Sequence, residues 1–408
     1  MNISQVASQI GESPTLKLNE KAATLRARGE PVIHLGSGEP KTKTPFEALL
    51  AAAGKLATAD IKYTPTDGIP ELKKAIVRYT EDNYGRRVAT ENIIVSPGAK
   101  AALFNLFVTI LDPDDEVIIL APYWVSYPDM VRMCRARPVV VPPQPGTFEP
   151  SIAAIEAAMG PKTKAVVVNS PNNPSGEVYS EGFVADVVRL CERRGVFLVM
   201  DDIYHKLVFD GRVAPSCYRY ATDLSEDSRL VVINGVSKLY AMTGFRIGWA
   251  VAPARVIAAM TNVQAQSVSC PSALLQVAAA SALNGSQASV ESLRLTLQNH
   301  RDILLRELAT LERVKVRKPM GTFYCFADFS QYCKDSGALS AFLLEKALVV
   351  TVPGKEFGMD GHLRISFCGA ASEIVEGVAR IRWALDPSAP KELYIGDRRV
   401  ERTFVAPH

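Results

Sequence analysis

Ala165-Val166-Val167-Val168-Asn169-Ser170-Pro171-Asn172-Asn173-Pro174-Ser175-Gly176 leads into a helical-looking Val184–Arg193. Val196-Phe197-Leu198-Val199-Met200-Asp201-Asp202-Ile203-Tyr204 follows, and this block sets the architecture of the chain. Four or five apolar residues in a row, rich in branched side chains and without polar alternation, read as strands covered on both faces. An amphipathic helix between two such strands predicts parallel neighbours joined by a crossover. Working outward, the pattern repeats. Ile93-Ile94-Val95, a helix-like Lys100–Ile110 and Glu116–Leu120 precede it; Leu230–Ile233 and Ile247–Val251 follow. An α/β fold with a mainly parallel sheet is expected.

In sheets of this kind ligands collect beyond the carboxyl ends of the strands. Five successive strand ends here carry groups a core has no use for: Ser96-Pro97-Gly98-Ala99-Lys100, Pro122-Tyr123-Trp124, Asn169–Gly176, Asp201–Tyr204 and Asn234-Gly235-Val236-Ser237-Lys238. Each has a plainer reading. The loop around Gly98 is a capped turn, or a helix start whose N–H groups hold a phosphate. Trp124 is packing, or a surface for a planar ring. Asn172-Asn173-Pro174-Ser175-Gly176 is a turn by composition, or a source of side-chain amide donors. A carboxylate at the lip of a buried strand needs a partner, which a protonated ring nitrogen would supply; Asp201 and Asp202 both qualify. Lys238, between apolar segments, would lose its hydration and favour the neutral, nucleophilic amine. Together these groups describe a planar ligand with an aldehyde, a ring nitrogen and a phosphate.

The rest of the chain excludes several classes of function. Its 408 residues carry a net charge of only +3, too little to argue for nucleic acid or an anionic membrane. No apolar run is long enough to span a bilayer, and the first residues lack a secretory pattern. Seven cysteines without close pairs, and five histidines, give neither a disulfide framework nor a metal-ligand spacing. No glycine-rich dinucleotide or Walker loop follows a strand. A cytoplasmic protein without nucleic-acid or membrane partners is the expectation. A long helix from Ser286 to about Leu311 leads into a second, smaller α+β unit. The Pro- and charge-rich tail after about Asp386 is expected on the surface, with no assigned role.

From about Lys17 to Trp383 the chain resembles the fold-type I, class I aminotransferases that use pyridoxal phosphate, and among them the bacterial aspartate aminotransferase-like subgroup. The motifs that carry the likeness stand in unbroken order: Gly36-Ser37-Gly38-Glu39-Pro40, Tyr63-Thr64-Pro65 with Gly68–Leu72, Pro122–Pro128, Asn169–Gly176, Asp201–Tyr204, Ser237–Gly248 and His362–Ser366. The resemblance implies a seven-stranded, mainly parallel sheet in a large cofactor domain over 46–290. A smaller α+β domain would cover 291–385, residues 1–45 would form an arm and part of that smaller domain, and 386–408 a tail.

The resemblance also implies roles. Lys238 is the lysine that bonds to the cofactor aldehyde and then shuttles the α proton. Asp201, chosen over Asp202 on the family spacing, faces the ring nitrogen. Tyr204 and Asn173 donate to the ring oxygen, and Trp124 stacks on the ring. Gly98, Ala99, Lys100, Ser237 and Arg246 receive the phosphate, joined by Tyr63 from a neighbouring subunit of a homodimer. Arg364 clamps the substrate α-carboxylate with help from Gly38. Lys100, Ser13 and Thr15 match the positions that meet a distal carboxylate in the aspartate-type subgroup, which points to aspartate or a similar donor and 2-oxoglutarate as acceptor. A specialised transaminase with a non-acidic donor, or a β-eliminating lyase, is the alternative on the same scaffold. The chain departs from the family pattern in two places and lacks one feature of some relatives. Gly235 stands where many relatives place a phosphate-binding serine. Lys41-Thr42-Lys43-Thr44-Pro45 replaces an acidic and aromatic loop near the substrate entrance. Gly11 occupies the position where some prephenate-accepting relatives carry a basic residue.

Overall fold

The computed structural model describes residues 3–12, 14–222, 225–405 and 407, without the side chains of Gln9, Pro14, Thr15 and Leu16. Seven strands build the main sheet: β1 (Ile93–Ser96), β2 (Glu116–Leu120), β3 (Arg137–Val141), β4 (Thr163–Asn169), β5 (Phe197–Asp201), β6 (Leu230–Gly235) and β7 (Gly248–Val251). Their order is β1-β7-β6-β5-β4-β2-β3. Only β7 runs against its neighbours. The reason is local: the twelve residues between β6 and β7 hold no crossover helix, so the chain must turn straight back. That return sets Lys238 and Arg246 at the same sheet end as Asp201.

The strands are apolar throughout because both faces are covered. Val166 and Val168 of β4, with Leu198 and Met200 of β5, face a core that includes Val184 and Val187 of helix Glu181–Arg194. Val167 and Val199 face Leu103, Leu106 and Phe107 of helix Ala99–Ile110, with Met260 of helix Ala254–Ser267. Each such side chain, fully buried, contributes roughly 1.5–3 kcal/mol. Helix Glu181–Arg194 starts where the Ser180 hydroxyl accepts the Phe183 N–H at 3.1 Å and stops at Gly195, whose φ of +64° suits a residue without Cβ. Strand β3 was not expected. It begins Arg137-Pro138 and is half-exposed, the signature of an edge rather than a core strand.

A second, antiparallel sheet joins Val352–Pro353, His362–Ser366 and Tyr324–Asp328. Helix Ser336–Ala347 packs on it, with helix Ala371–Leu385 beside that helix and helix Ala288–Leu308 against Ala371–Leu385. The N-terminal segment returns to this unit: Ile33–His34 pairs in parallel with Val349–Val350, and Leu35 O accepts Ser366 N–H at 2.6 Å. The tail does more than lie on the surface. Glu392–Ile395 and Arg398–Glu401 form a hairpin. Arg402 then donates to the carbonyls of Trp383, Asp386, Pro387 and Ala389, while Phe404 sits edge-on to Trp383 and Phe342. Among the described residues no helix is long and apolar enough to cross a membrane.

Candidate active site

The carboxyl ends of β1, β4, β5 and β6 open into a cavity of about 300 Å³. Lys238, Asp201, Tyr204, Asn173, Trp124, Ala99, Lys100, Ser237, Arg246, Arg364 and Gly38 all line it. Gly98 stands directly behind, as the N-cap of helix Ala99–Ile110, with φ +92°. A Cβ at that position would collide with the Arg246 guanidinium, so only glycine lets the arginine cross the helix start. The first intrahelical bonds are made by Ala101 and Ala102 N–H to Gly98 O; the N–H groups of Ala99 and Lys100 come before them and point outward with the helix dipole.

Half-buried Lys238 donates from Nζ to the carbonyl oxygen of Gly38 at 2.7 Å. Burial, then the Arg364 charge, pulls its pKa down to about 8. Asp201 is buried at the end of β5. Burial pushes its pKa up to about 6 against the opposing pull of Tyr127, whose hydroxyl donates to Oδ2 at 2.5 Å. The neighbouring Asp202 turns the other way, as alternate strand positions must. It lines a separate cavity of about 490 Å³ beside Tyr84 and His205. Burial and the Asp201 charge carry Asp202 up to about 7. Asp201 is thus the acid that meets the site.

Arg364 is buried. Nη1 donates to Asn173 Oδ1 and Nη2 to Gly36 O, each at 3.0 Å, and its plane lies 4.3 Å from the Tyr324 ring centre. Its Nε has no partner, and no carboxylate among the described residues pairs with it. A buried guanidinium left in that condition is costly unless an anion completes it. With the Asn173 oxygen committed to Arg364, the Asn173 amide nitrogen is the group left for the cavity. Asn172, by contrast, serves the turn: Oδ1 accepts Ser175 N–H and hydroxyl at 3.1 and 2.7 Å. Lys100 Nζ sits 4.8 Å over the Trp124 ring. Desolvation and the Arg246 charge lower its pKa.

One expected residue, among those described, is not in the cavity. Tyr63 is 92% exposed on the outside of the chain. Ser13 and the side chain of Thr15 lie outside the described residues, and Gly11 has open space around it. Gly235 is packed rather than merely small: a Cβ would stand 2.9 Å from Ile247 O and 3.2 Å from Ile203 Cδ1, so a serine there would have to displace backbone. Tyr324, Tyr127 and Thr243, which bonds Glu39 across the cavity mouth, were not singled out from the sequence. Aromatic and hydroxyl residues inside otherwise apolar stretches give no signal to separate them from packing.

Comparison with known proteins agrees with this geometry. The family described as "Aminotransferase class I and II" matches residues 30–381. The chain is 38% identical to the aspartate aminotransferase of Rhizobium meliloti, over 93% of this chain and 95% of that one. It is 40% identical to the aspartate/prephenate aminotransferase of Thermus thermophilus, over 90% and 94%. The solved structure of the Thermus thermophilus aspartate aminotransferase with maleate superposes with a TM-score of 0.89 at 39% identity, covering 93% of this chain and 98% of that chain.

Proposed function

This chain belongs to the class I and II aminotransferases, pyridoxal-phosphate enzymes, and on that premise we propose that it transfers the amino group of aspartate or a similar dicarboxylic amino acid to a 2-oxo acid such as 2-oxoglutarate. The observation that carries the substrate class is a pair of cations. Arg364 and Lys100 line one cavity and neither has a carboxylate partner among the described residues. Beyond Lys238 and Arg246, which the cofactor would engage, these two cations suit a substrate with two carboxylates; Thr15, whose side chain lies outside the described residues, is assigned to the distal one.

The residues present fit the cofactor. Glycine at 98 clears a path for Arg246 at the start of a helix with two N–H groups to offer, a seat for a phosphate. Pyridoxal phosphate, when bound, supplies an aldehyde that bonds to amines and a ring that draws electrons from the substrate α carbon. Lys238 provides the amine, and its lowered pKa makes the neutral form accessible. Released from the cofactor, Lys238 Nζ would be placed to remove and return the proton at the substrate α carbon. Asp201 would hold a proton on the ring nitrogen, while Tyr204 and Asn173 would donate to the ring oxygen. Ser237, with Gly98, Ala99, Lys100 and Arg246, holds the phosphate. Arg364 grips the α-carboxylate with a planar fork, and Gly38 closes over it.

A homodimer with shared sites is part of this reading. Tyr63, Phe46, Leu50 and Ile61 are all exposed, an apolar face that suits a second copy. The division is a large domain over 46–290 and a smaller one over 291–385, with residues 1–45 an arm and part of the smaller domain; the pairing of Ile33 with Val349 supports that last assignment. A cytoplasmic location suits seven unpaired thiols. The test is a panel of donors and acceptors followed by half-reaction spectroscopy. Reversible conversion with aspartate and 2-oxoglutarate, and weak conversion with neutral amino acids, is the expected result. Equal use of neutral donors, or release of ammonia with pyruvate, would overturn the substrate assignment.

A further inference from the structure

We propose that Tyr127 is a positioning residue: it fixes the Asp201 carboxylate, keeps it an acceptor for the ring nitrogen, and ties it to the ring-stacking Trp124. The assignment rests on the cofactor reading above and on geometry that the motif comparison leaves unused.

Tyr127 sits in the first turn of helix Ser126–Met133 and is 2% exposed. Its hydroxyl donates to Asp201 Oδ2 at 2.5 Å. The other carboxylate oxygen accepts the Ile203 N–H at a longer 3.4 Å, so the phenol is the stronger of the two restraints on the plane of the acid. The same ring stands edge-on to Trp124, centroids 5.3 Å apart at 85°, and its N–H donates to Trp124 O at 3.0 Å. One side chain therefore touches the acid at one end of the cofactor ring and the surface beneath its face.

The chemistry favours a single direction of donation. Burial and the Asp201 charge raise the Tyr127 pKa well above the ordinary tyrosine value, so the phenol keeps its proton and the carboxylate accepts. A neutral donor to Asp201 stabilises its ionised form, which leaves the shared proton on the ring nitrogen. The other groups facing Asp201 act differently. Lys238 contributes a charge that favours the ionised form, Asp202 has its own ionisation opposed by the Asp201 charge, and Tyr204 feels that charge as well. Tyr127 is the one that donates to a carboxylate oxygen from a side chain.

The experiment is a double-mutant cycle on the reconstituted enzyme, read by the cofactor dissociation constant and by the nitrogen NMR shift of ring-¹⁵N pyridoxal phosphate at neutral pH. Tyr127→Phe keeps the ring against Trp124 and deletes the donor. It should weaken cofactor binding about 10- to 100-fold, the range for a hydrogen bond to a charged group. It should also move the ¹⁵N shift toward the unprotonated value. In an Asp201→Asn background the same change should alter binding by no more than about twofold, because its partner is gone. If Tyr127→Phe folds poorly, 3-fluorotyrosine at 127, a stronger donor, should tighten cofactor binding instead. Equal losses in both backgrounds, an unmoved nitrogen shift, or no change with the fluorinated residue would each overturn the proposal.

Discussion

The Arg364 guanidinium gives one N–H to the amide oxygen of Asn173 at 3.0 Å and keeps another with no partner, while no carboxylate among the described residues balances its charge. The side chain is pre-aimed, since Asn173, Gly36 O and the Tyr324 face hold it from three sides. Arg364→Lys keeps a charge but loses the fork, and KM for both aspartate and 2-oxoglutarate should rise about 100-fold. Cofactor affinity should stay within about threefold of the native value. Steady-state kinetics beside a cofactor titration separate the two; a fall in cofactor affinity with KM unchanged would contradict the clamp.

Lys238 carries a pH prediction whose sign follows from its surroundings. Burial and the Arg364 charge both disfavour the ammonium, so the free amine predominates above about 8 rather than above the ordinary lysine value of 10.5. The rate at which apoenzyme captures pyridoxal phosphate should rise with pH and level off beyond that point. Arg364→Met removes the second cause and should shift the midpoint upward. Lys238→Ala should bind the cofactor without its lysine-bound visible band, take no pyridoxyl label on borohydride reduction, and lose turnover by several orders of magnitude. A capture rate still climbing steeply at pH 10 would show that the desolvated amine lies elsewhere.

Much of this site was legible in the residues because apolar strands make polar lips conspicuous. Asp201 after Phe197–Met200, and Lys238 after Leu230–Ile233, stand out by contrast alone. What composition could not do was choose between adjacent acids, since Asp201 ends β5 and Asp202 just past it turns into a different cavity, and that needs the sheet. Nor could it find Tyr127 or Tyr324, because a buried tyrosine hydroxyl looks like core until its partner is placed. Strand β3 was missed for the opposite reason: at an edge, half-exposed, it lacks the continuous apolar run that revealed its neighbours.

The two acids can be told apart by substitution. Asp201→Asn removes the charge that faces the ring nitrogen and should cost roughly a thousand-fold in kcat, within the span of a lost acid–base partner. Asp202 has its pKa raised to about 7, so at pH 6 its carboxyl is mostly neutral and Asp202→Asn is nearly isosteric. There the activity should change by less than about fivefold. Above pH 7, native Asp202 ionises beside an Asp201 that already carries its charge; the substitution removes that second charge, so any change in activity should be confined to the alkaline side of the profile. A pH–rate profile of both variants decides this, and equal losses at pH 6 would mean that Asp202 also reaches the reacting groups.

Tyr63 offers the sharpest test of shared active sites. It is 92% exposed, as Phe46 is at 68% and Leu50 at 56%, and it does not line the cavity that it would have to serve. It does not line the phosphate seat of its own chain; the proposed two-fold interface would bring it to that of a second copy. Tyr63→Ala should weaken activity about 10- to 100-fold, and Lys238→Ala should abolish it. Unfolding and refolding the two variants together would put Lys238 of one subunit opposite Tyr63 of the other in half of the dimers, restoring one native site in each. Activity should then recover to about a quarter of the native value, well above either parent. If each site is built from a single chain, mixing can only average the parents, and no recovery would be seen.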